Sequence, residues 1–267
     1  MNDSDLEAAC AALVSARRDA RALAAVPVAW QPTDLAEAYR LQAAVIAALG
    51  GGAGWKVAAI TAEQQRTLGV TQPIAAPLPA ARMHDARAAP ALLRLADFIA
   101  PRIECEFAFQ LGHDLPPRPG APYSHAEVGA AVQAMRLAVE IVDPRWPAGS
   151  GALAELADGF NNGALVAGPA IGDWCGIDFA SIGIVLSAVT PGATATELAR
   201  GSGRVILDGD PFSTVVMLAN APPSAGPGLR AGDIVTTGSC SGAPRIPGPG
   251  LYRAEFSGLG SVELRFE

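Results

Sequence analysis

The chain has 267 residues, half of them hydrophobic and 17% charged, with a formal net charge of −7. That length carries one large domain or two small ones with ample core. The acidic balance excludes a nucleic-acid-binding surface, and no apolar run reaches the length of a membrane span.

Residues 5–25 are rich in Ala and Leu at helical spacing, and predict an amphipathic helix interrupted by Pro27 and Pro32. Asp34 with Glu37 three residues on predicts the start of a second helix, with Leu35, Tyr39, Leu41, Val45, Ile46 and Leu49 on its buried face. A glycine-rich bend ends it, and a strand is predicted over 55–60, followed by a helical turn through Glu63–Leu68. Within that strand sits Lys56, the single lysine among 19 basic residues. Arg remains protonated at any accessible pH, whereas a desolvated Lys can lose its proton, so a lone Lys beside a ligand-approachable bend points to function. One surviving surface lysine is the competing explanation.

Residues 71–101 have little periodicity and predict loops and short strands. Residues 102–111 alternate strictly: Ile103, Cys105, Phe107, Phe109 and Leu111 on one side, Arg102, Glu104, Glu106, Ala108 and Gln110 on the other. A period of two is the pattern of a half-buried strand, and it sets Glu104 and Glu106 side by side, roughly 7 Å apart at Cα. Paired carboxylates suit a hard divalent cation; a solvated face with two scattered acids fits this strand alone equally well. Ser124 with Glu127 opens a predicted helix running to about Arg136, and Glu140 then interrupts the apolar run Leu137–Val142. A buried acid is costly without a partner or metal, and the flanking Val139, Ile141 and Val142 weigh against an exposed strand edge.

Residues 157–163 form a polar turn cluster. Strands are predicted over 182–190, 204–207 and 234–238, a helix over 211–221 ended by Pro222-Pro223, and a closing hairpin from Tyr252–Phe256 and Ser261–Phe266. The organisation read from this is a helical N-terminal part, 1–50, fused to a β-rich catalytic domain, 51–267, as one continuous unit. Cys10, Cys105, Cys175 and Cys240 lack CxxC spacing, which speaks against a disulfide framework or zinc site. With the acidic, polar stretch Met1–Asp5, unlike a secretion signal, this gives a cytoplasmic expectation.

Several motifs in order resemble one family: Gly54-Trp55-Lys56-Val57, Leu68-Gly69-Val70 followed by Gln72-Pro73, Glu104-Cys105-Glu106, Glu140-Ile141-Val142-Asp143-Pro144-Arg145, Ala157-Asp158, Ala231–Ser239 and Gly258–Val262. Jointly they resemble the 2-keto-4-pentenoate hydratase branch of the fumarylacetoacetate hydrolase superfamily, over nearly all of the chain from about residue 30. The resemblance implies an α+β fold with a β-rich mixed roll, and a homo-oligomer that can associate with a related decarboxylase or hydratase. It also implies an Mg²⁺ or Mn²⁺ site made by Glu104, Glu106 and Glu140, with Lys56 as active-site lysine. Asp158 is carried over as a further catalytic residue, and Asn161, Ser239 and Ser241 as substrate contacts; turn formation and strand capping explain these four about as well.

The implied reaction is hydration of a 2-hydroxydienoate to a 4-hydroxy-2-keto acid through a metal-stabilised enolate. The alternatives are decarboxylation of a vinylogous 2-keto diacid of the 4-oxalocrotonate type, and a non-catalytic keto-acid-binding partner subunit. A C–C hydrolase is disfavoured, because its His-Glu pair has no counterpart and His84, His113 and His125 are expected at the surface. One departure stands out. The resemblance implies an Asp after Pro73, where this chain has Ile74. Ile cannot transfer a proton or hold a water, so a more apolar substrate than 2-hydroxypentadienoate is expected.

Overall fold

A computed structural model describes residues 1–71, 73–192, 194–221 and 228–267. Helix α1 (Asp3–Arg18) is capped by Asn2, whose side chain accepts from the Asp5 amide, and it stops well short of residue 25. Its last turn is closed by Asp19 N–H on Ser15 O, and Ala20 then turns left-handed, with Leu23 N–H taken up by the Arg145 carbonyl. Helix α2 (Leu35–Ala48) starts at Asp34 as expected, Asp34 accepting from Glu37 N–H. Only half of the reciprocal cap forms, because the Glu37 carboxylate binds Thr33 instead. Strand β1 (Gly52–Ala58) leads to α3 (Ala62–Leu68), which has a full capping box between Thr61 and Gln64. Three short strands follow: β2 (Ile74–Pro79), β3 (Met83–Asp85) and β4 (Ala91–Leu93).

Strand β5 (Arg102–Leu111) has the predicted bounds, and Ile103, Cys105, Phe107, Phe109 and Leu111 are all buried in the main core. Its other face is not simply solvated, since Glu106 and Ala108 are buried too. Helix α4 (His125–Ala131) has its Ser124–Glu127 box but ends five residues before Arg136, and the chain passes directly into β6 (Val132–Val142). Pairing with β5, from Arg102↔Val142 to Leu111↔Val132, overrides the helix propensity of residues 132–136. Next come α5 (Ala152–Ala157), β7 (Asn162–Ile171), β8 (Gly183–Val189) and β9 (Thr196–Ser202); α5 and β9 carry no clear periodicity in the sequence. Residues 204–207 are not a strand but lie in 3-10 turns, Gly203–Val205 and Leu207–Gly209. Helix α6 (Phe212–Asn220), β10 (Ile234–Thr236) and the hairpin β11 (Gly250–Phe256) and β12 (Gly260–Phe266) complete the chain. Pro222-Pro223 and Gln72 lie outside the described residues.

The strands form a seven-stranded mixed sheet, order β2-β1-β10-β5-β6-β7-β3, and a five-stranded sheet, order β4-β12-β11-β8-β9. Between them lies the main core, where Phe107 meets Phe179 and Phe256 edge-on or tilted at 4.9 and 5.5 Å between centroids. The larger sheet curls into a roll, and the Asn162 side-chain amide ties β7 to the Pro77 carbonyl of β2 at 2.6 Å. Inside the roll Leu78, Ala108, Ala138 and Leu165 pack together. Helices α1 and α2 close one flank through a second core of Leu13, Leu41 and Val45 against Ile74, Trp146 and Leu156.

The close parallel pairing of β1 with β10 depends on Gly54, because a Cβ there would lie 2.3 Å from the Ile234 carbonyl oxygen. Gly54→Ala should therefore push the strands apart and cost about 1–3 kcal/mol in urea unfolding. A wild-type midpoint in that variant would show that the pairing relaxes freely.

Candidate active site

Glu104 and Glu140 stand directly opposite one another on β5 and β6, and Glu106, opposite Ala138, follows two residues along the same face. On paired strands such side chains lie within touching distance, and ligand oxygens of all three carboxylates fall within 4.8 Å of one another. Strand β10 separates β1 from β5, but it ends at Thr236, one position past the last β1–β10 pair, Trp55↔Val235. Lys56 is the next residue of β1, and its Nζ donates to Glu140 Oε1 at 2.6 Å. Past β10 the chain turns at Gly238 (φ 106°), whose N–H donates to Glu106 Oε2 at 2.7 Å. A left-handed φ of that size suits Gly.

Glu140 is 0% exposed and its Oε2 has no hydrogen-bond partner. A carboxylate oxygen left bare in a buried site is expensive, and the only cation among these groups is one ammonium against three carboxyl groups, with the Gly238 N–H as a further, neutral donor. Burial raises the Glu104 carboxyl, Lys56 pulls it back and Glu140 pushes it up again, leaving it at about 7. Burial, then the charges of Glu140 and Glu104, hold Glu106 well above the carboxylate range. For Lys56, burial alone favours the neutral amine, but Glu140, Glu104 and Glu106 together outweigh it and raise its pKa. With only these carboxyl groups around it, the field favours the charged ammonium of Lys56. A hard divalent cation fits the surplus of oxygen donors and the bare Oε2.

The cluster opens into a cavity of ≈ 740 Å³, whose lining includes Lys56, Glu104, Glu106, Phe160, Asn161 and Ser239. Gly159, Phe160 and Asn161 are successive residues at positive φ (75°, 50° and 60°), a conformation unfavourable for Phe and the sort of strain that collects at functional sites. Phe160 is a site residue that sequence reasoning missed; the Gly-Phe-Asn-Asn turn was its only signal. Its ring lies 5.8 Å from Lys56 Nζ. Asn161 Oδ1 is buried without a partner, and so is Thr236 Oγ1. Ser239 donates to the Gly242 carbonyl at 2.8 Å.

Three sequence candidates lie elsewhere. Ser241 accepts from the Cys105 N–H at 3.2 Å and is not among the cavity-lining residues. Ile74, 1% exposed, packs in the flanking core and not on the cavity wall, so an apolar site has to be argued from other residues. Asp158 is fully buried in an ionic network: Arg145 Nε donates to its Oδ2 at 2.7 Å and an Arg17 amino group to its Oδ1 at 3.1 Å. Arg17, on α1, is held down to about 10 by burial and then by the charge of Arg145. The geometry makes Asp158 the tie between the N-terminal helix and the turn that presents Phe160 and Asn161. Of the histidines, His113 is exposed, His125 packs on Phe212 and His84 is half-buried; none lines the cavity.

No family model matches the chain. It is 30% identical over 239 residues to the TodF product hydratase of Pseudomonas putida F1, covering 88% of this chain and 85% of that protein. It is 29% identical over 275 residues to the 2-keto-4-pentenoate hydratase of Paraburkholderia phymatum, covering 99% and 98%. Among solved structures it is similar to a 4-oxalocrotonate decarboxylase from Pseudomonas putida G7 complexed with magnesium and adipate, with a TM-score of 0.85, 21% identity and coverage of 100% and 99%. The curled mixed sheet with its helical N-terminus is thus the fold of the fumarylacetoacetate hydrolase superfamily. By its relatives the chain belongs to the 2-keto-4-pentenoate hydratase family, and is an enzyme of the lyase class.

Two outcomes follow from this geometry. Asp158→Ala should leave Arg17 and Arg145 unpaired in the interior and lower the unfolding free energy by about 3–5 kcal/mol; a loss under about 1 kcal/mol would contradict the tie. Metal-free protein should lose stability as pH rises. Glu104 binds its proton more tightly folded, at about 7, than at its ordinary 4.5, so its contribution is full below 4.5 and gone above about 7. Melting temperatures across that window should fall without metal, and added Mg²⁺ or Mn²⁺ should restore more at the upper end. A flat profile would contradict the carboxylate repulsion.

Proposed function

We propose that this enzyme is a divalent-metal-dependent hydratase that converts a 2-hydroxydienoate to a 4-hydroxy-2-keto acid. The observation that carries the proposal is the buried surplus of Glu104, Glu106 and Glu140 over Lys56, with Glu140 Oε2 left bare. These three carboxylates would hold Mg²⁺ or Mn²⁺, which supplies Lewis-acid polarisation of a 2-oxo group and its carboxylate. Lys56, as an ammonium, directs its N–H toward the oxyanion that develops as the dienol ketonises. In that step the dienol hydroxyl gives up its proton and C5 gains one, leaving a conjugated 2-oxo-3-enoate. Water then adds at C4 while a proton goes to C3. The unpartnered Asn161 Oδ1 accepts from the attacking water, and Ser239 contacts the substrate carboxylate. Asp158 acts at one remove, by positioning the Phe160–Asn161 turn, and Ser241 steadies β5.

In the same proposal residues 1–50 serve as a helical layer on the catalytic domain 51–267, and the enzyme works in the cytoplasm as a homo-oligomer, able to pair with a related decarboxylase. Support for a reducing compartment comes from four free cysteines, and no described helix is long and apolar enough to cross a membrane.

Lys56→Ala should lower kcat for dienoate hydration roughly 10²-fold or more, with little change in metal affinity. Lys56→Arg should not rescue it, since guanidinium has a different shape and donor geometry. Glu106→Gln should weaken Mn²⁺ binding in a calorimetric titration. Unchanged Mn²⁺ affinity in Glu106→Gln would remove the metal assignment, and CO₂ release from a 2-keto diacid without water addition would make the enzyme a decarboxylase.

A further inference from the structure

The reacting groups occupy only part of the cavity wall. At ≈ 740 Å³ the space falls in the range, roughly 300–1,000 Å³, that encloses drug-sized ligands, and a five-carbon acid leaves much of it unfilled. The remaining wall has an aliphatic side, with Ile60, Leu68, Val205 and Ile206, and a polar edge along α3, with Thr61, Glu63, Gln64 and Thr67. Val205 is 58% exposed, one of the few large apolar side chains open to solvent among the described residues. It is no frayed surface residue. Its 3-10 turn is anchored by Gly203 N–H on the Ile182 carbonyl at 3.0 Å, and Gly203 lies so close to Phe179 that a Cβ would sit 2.2 Å from the Phe179 oxygen. The next residue, Ile206, is buried and lines the same wall. A rigid turn thus holds an apolar side chain toward the cavity, at a cost in exposed surface that a ligand's apolar end would relieve.

The charges tell the other half. Among the described residues that line the cavity, Lys56 is the sole cation and is already engaged by Glu140, while Glu63 on the first turn of α3 adds a further negative charge. A second carboxylate at the far end of a substrate would meet no cation there, only aliphatic wall, the neutral side chains of Thr61, Gln64 and Thr67, and the like charge of Glu63.

We infer that the enzyme selects monocarboxylic 2-hydroxydienoates with an apolar substituent at the distal carbon, and refuses those ending in a second carboxylate, with Val205 as a specificity-determining residue. This rests on the hydratase proposal, so the test has a binding arm independent of turnover. Saturated 2-oxo acids, which cannot be hydrated, are titrated calorimetrically into the full chain with Mn²⁺: 2-oxopentanoate, 2-oxohexanoate, 2-oxoheptanoate and 2-oxoadipate. In parallel, kcat/KM is measured for 2-hydroxypentadienoate, its C5-propyl homologue and its C5-carboxylated analogue. Affinity should rise roughly fourfold per added methylene, the increment of burying one CH₂, and 2-oxoadipate should bind at least about tenfold more weakly than 2-oxohexanoate. Val205→Ser should flatten the chain-length series, and Val205→Arg, at an exposed position that tolerates charge, should shift preference toward 2-oxoadipate. A flat series in wild type, a preference for 2-oxoadipate, or a Val205→Arg variant with wild-type ranking overturns the inference. A rising series with no hydration of any dienoate upholds the cavity's preference and overturns the hydratase proposal instead.

Discussion

Three carboxylates and one ammonium on the inner face of a curled sheet make an electrostatic problem that most of the local architecture serves. Glu104 and Glu140 are set opposite each other by the β5–β6 register, where like charges repel. Lys56 answers one oxygen of Glu140, and the Gly238 N–H answers one of Glu106. The deficit left over is the property that a divalent cation would satisfy. Several features that look like irregularities are conditions for it: a three-residue β10 that lets Lys56 reach past it, a left-handed Gly238, and a Gly54 small enough for β1 to lie against β10.

The second dependence runs through the interior away from the cavity. Arg17 from α1 and Arg145 from the segment after β6 converge on Asp158, whose following residues form the strained turn facing Lys56. The N-terminal helix is therefore coupled to the site through a buried ion pair rather than by direct contact with the cavity. Networks of this kind are strongly destabilised by losing one partner, because the remaining charges stay buried.

Much of this was legible in the sequence where the signal is local. The alternation of 102–111, the caps at Asp34 and Ser124, and the closing hairpin depend on neighbours a few residues apart, and each appears close to its expected place. The oddity of a lone lysine and of Glu140 in an apolar run was also visible, and the two side chains meet. What failed depended on distance. Residues 132–136 have helix-forming side chains, yet a strand 20 to 30 residues earlier claims their backbone. The ion pairs of Asp158 could not be read, because nothing nearby in sequence reveals Arg17, 141 residues away. Ile74 sits on a strand beside the site but turns into the packing under α2, which a motif comparison cannot see.

The central claim is that Glu104, Glu106 and Glu140 form one divalent-cation site facing the cavity. It is tested most directly by a crystal structure grown with Mn²⁺, with diffraction recorded where manganese scatters anomalously. The account predicts one anomalous peak per chain, within coordination distance of all three carboxylates and beside Lys56. Well-ordered Glu104, Glu106 and Glu140 with no peak between them, or a peak held by other residues, would contradict it.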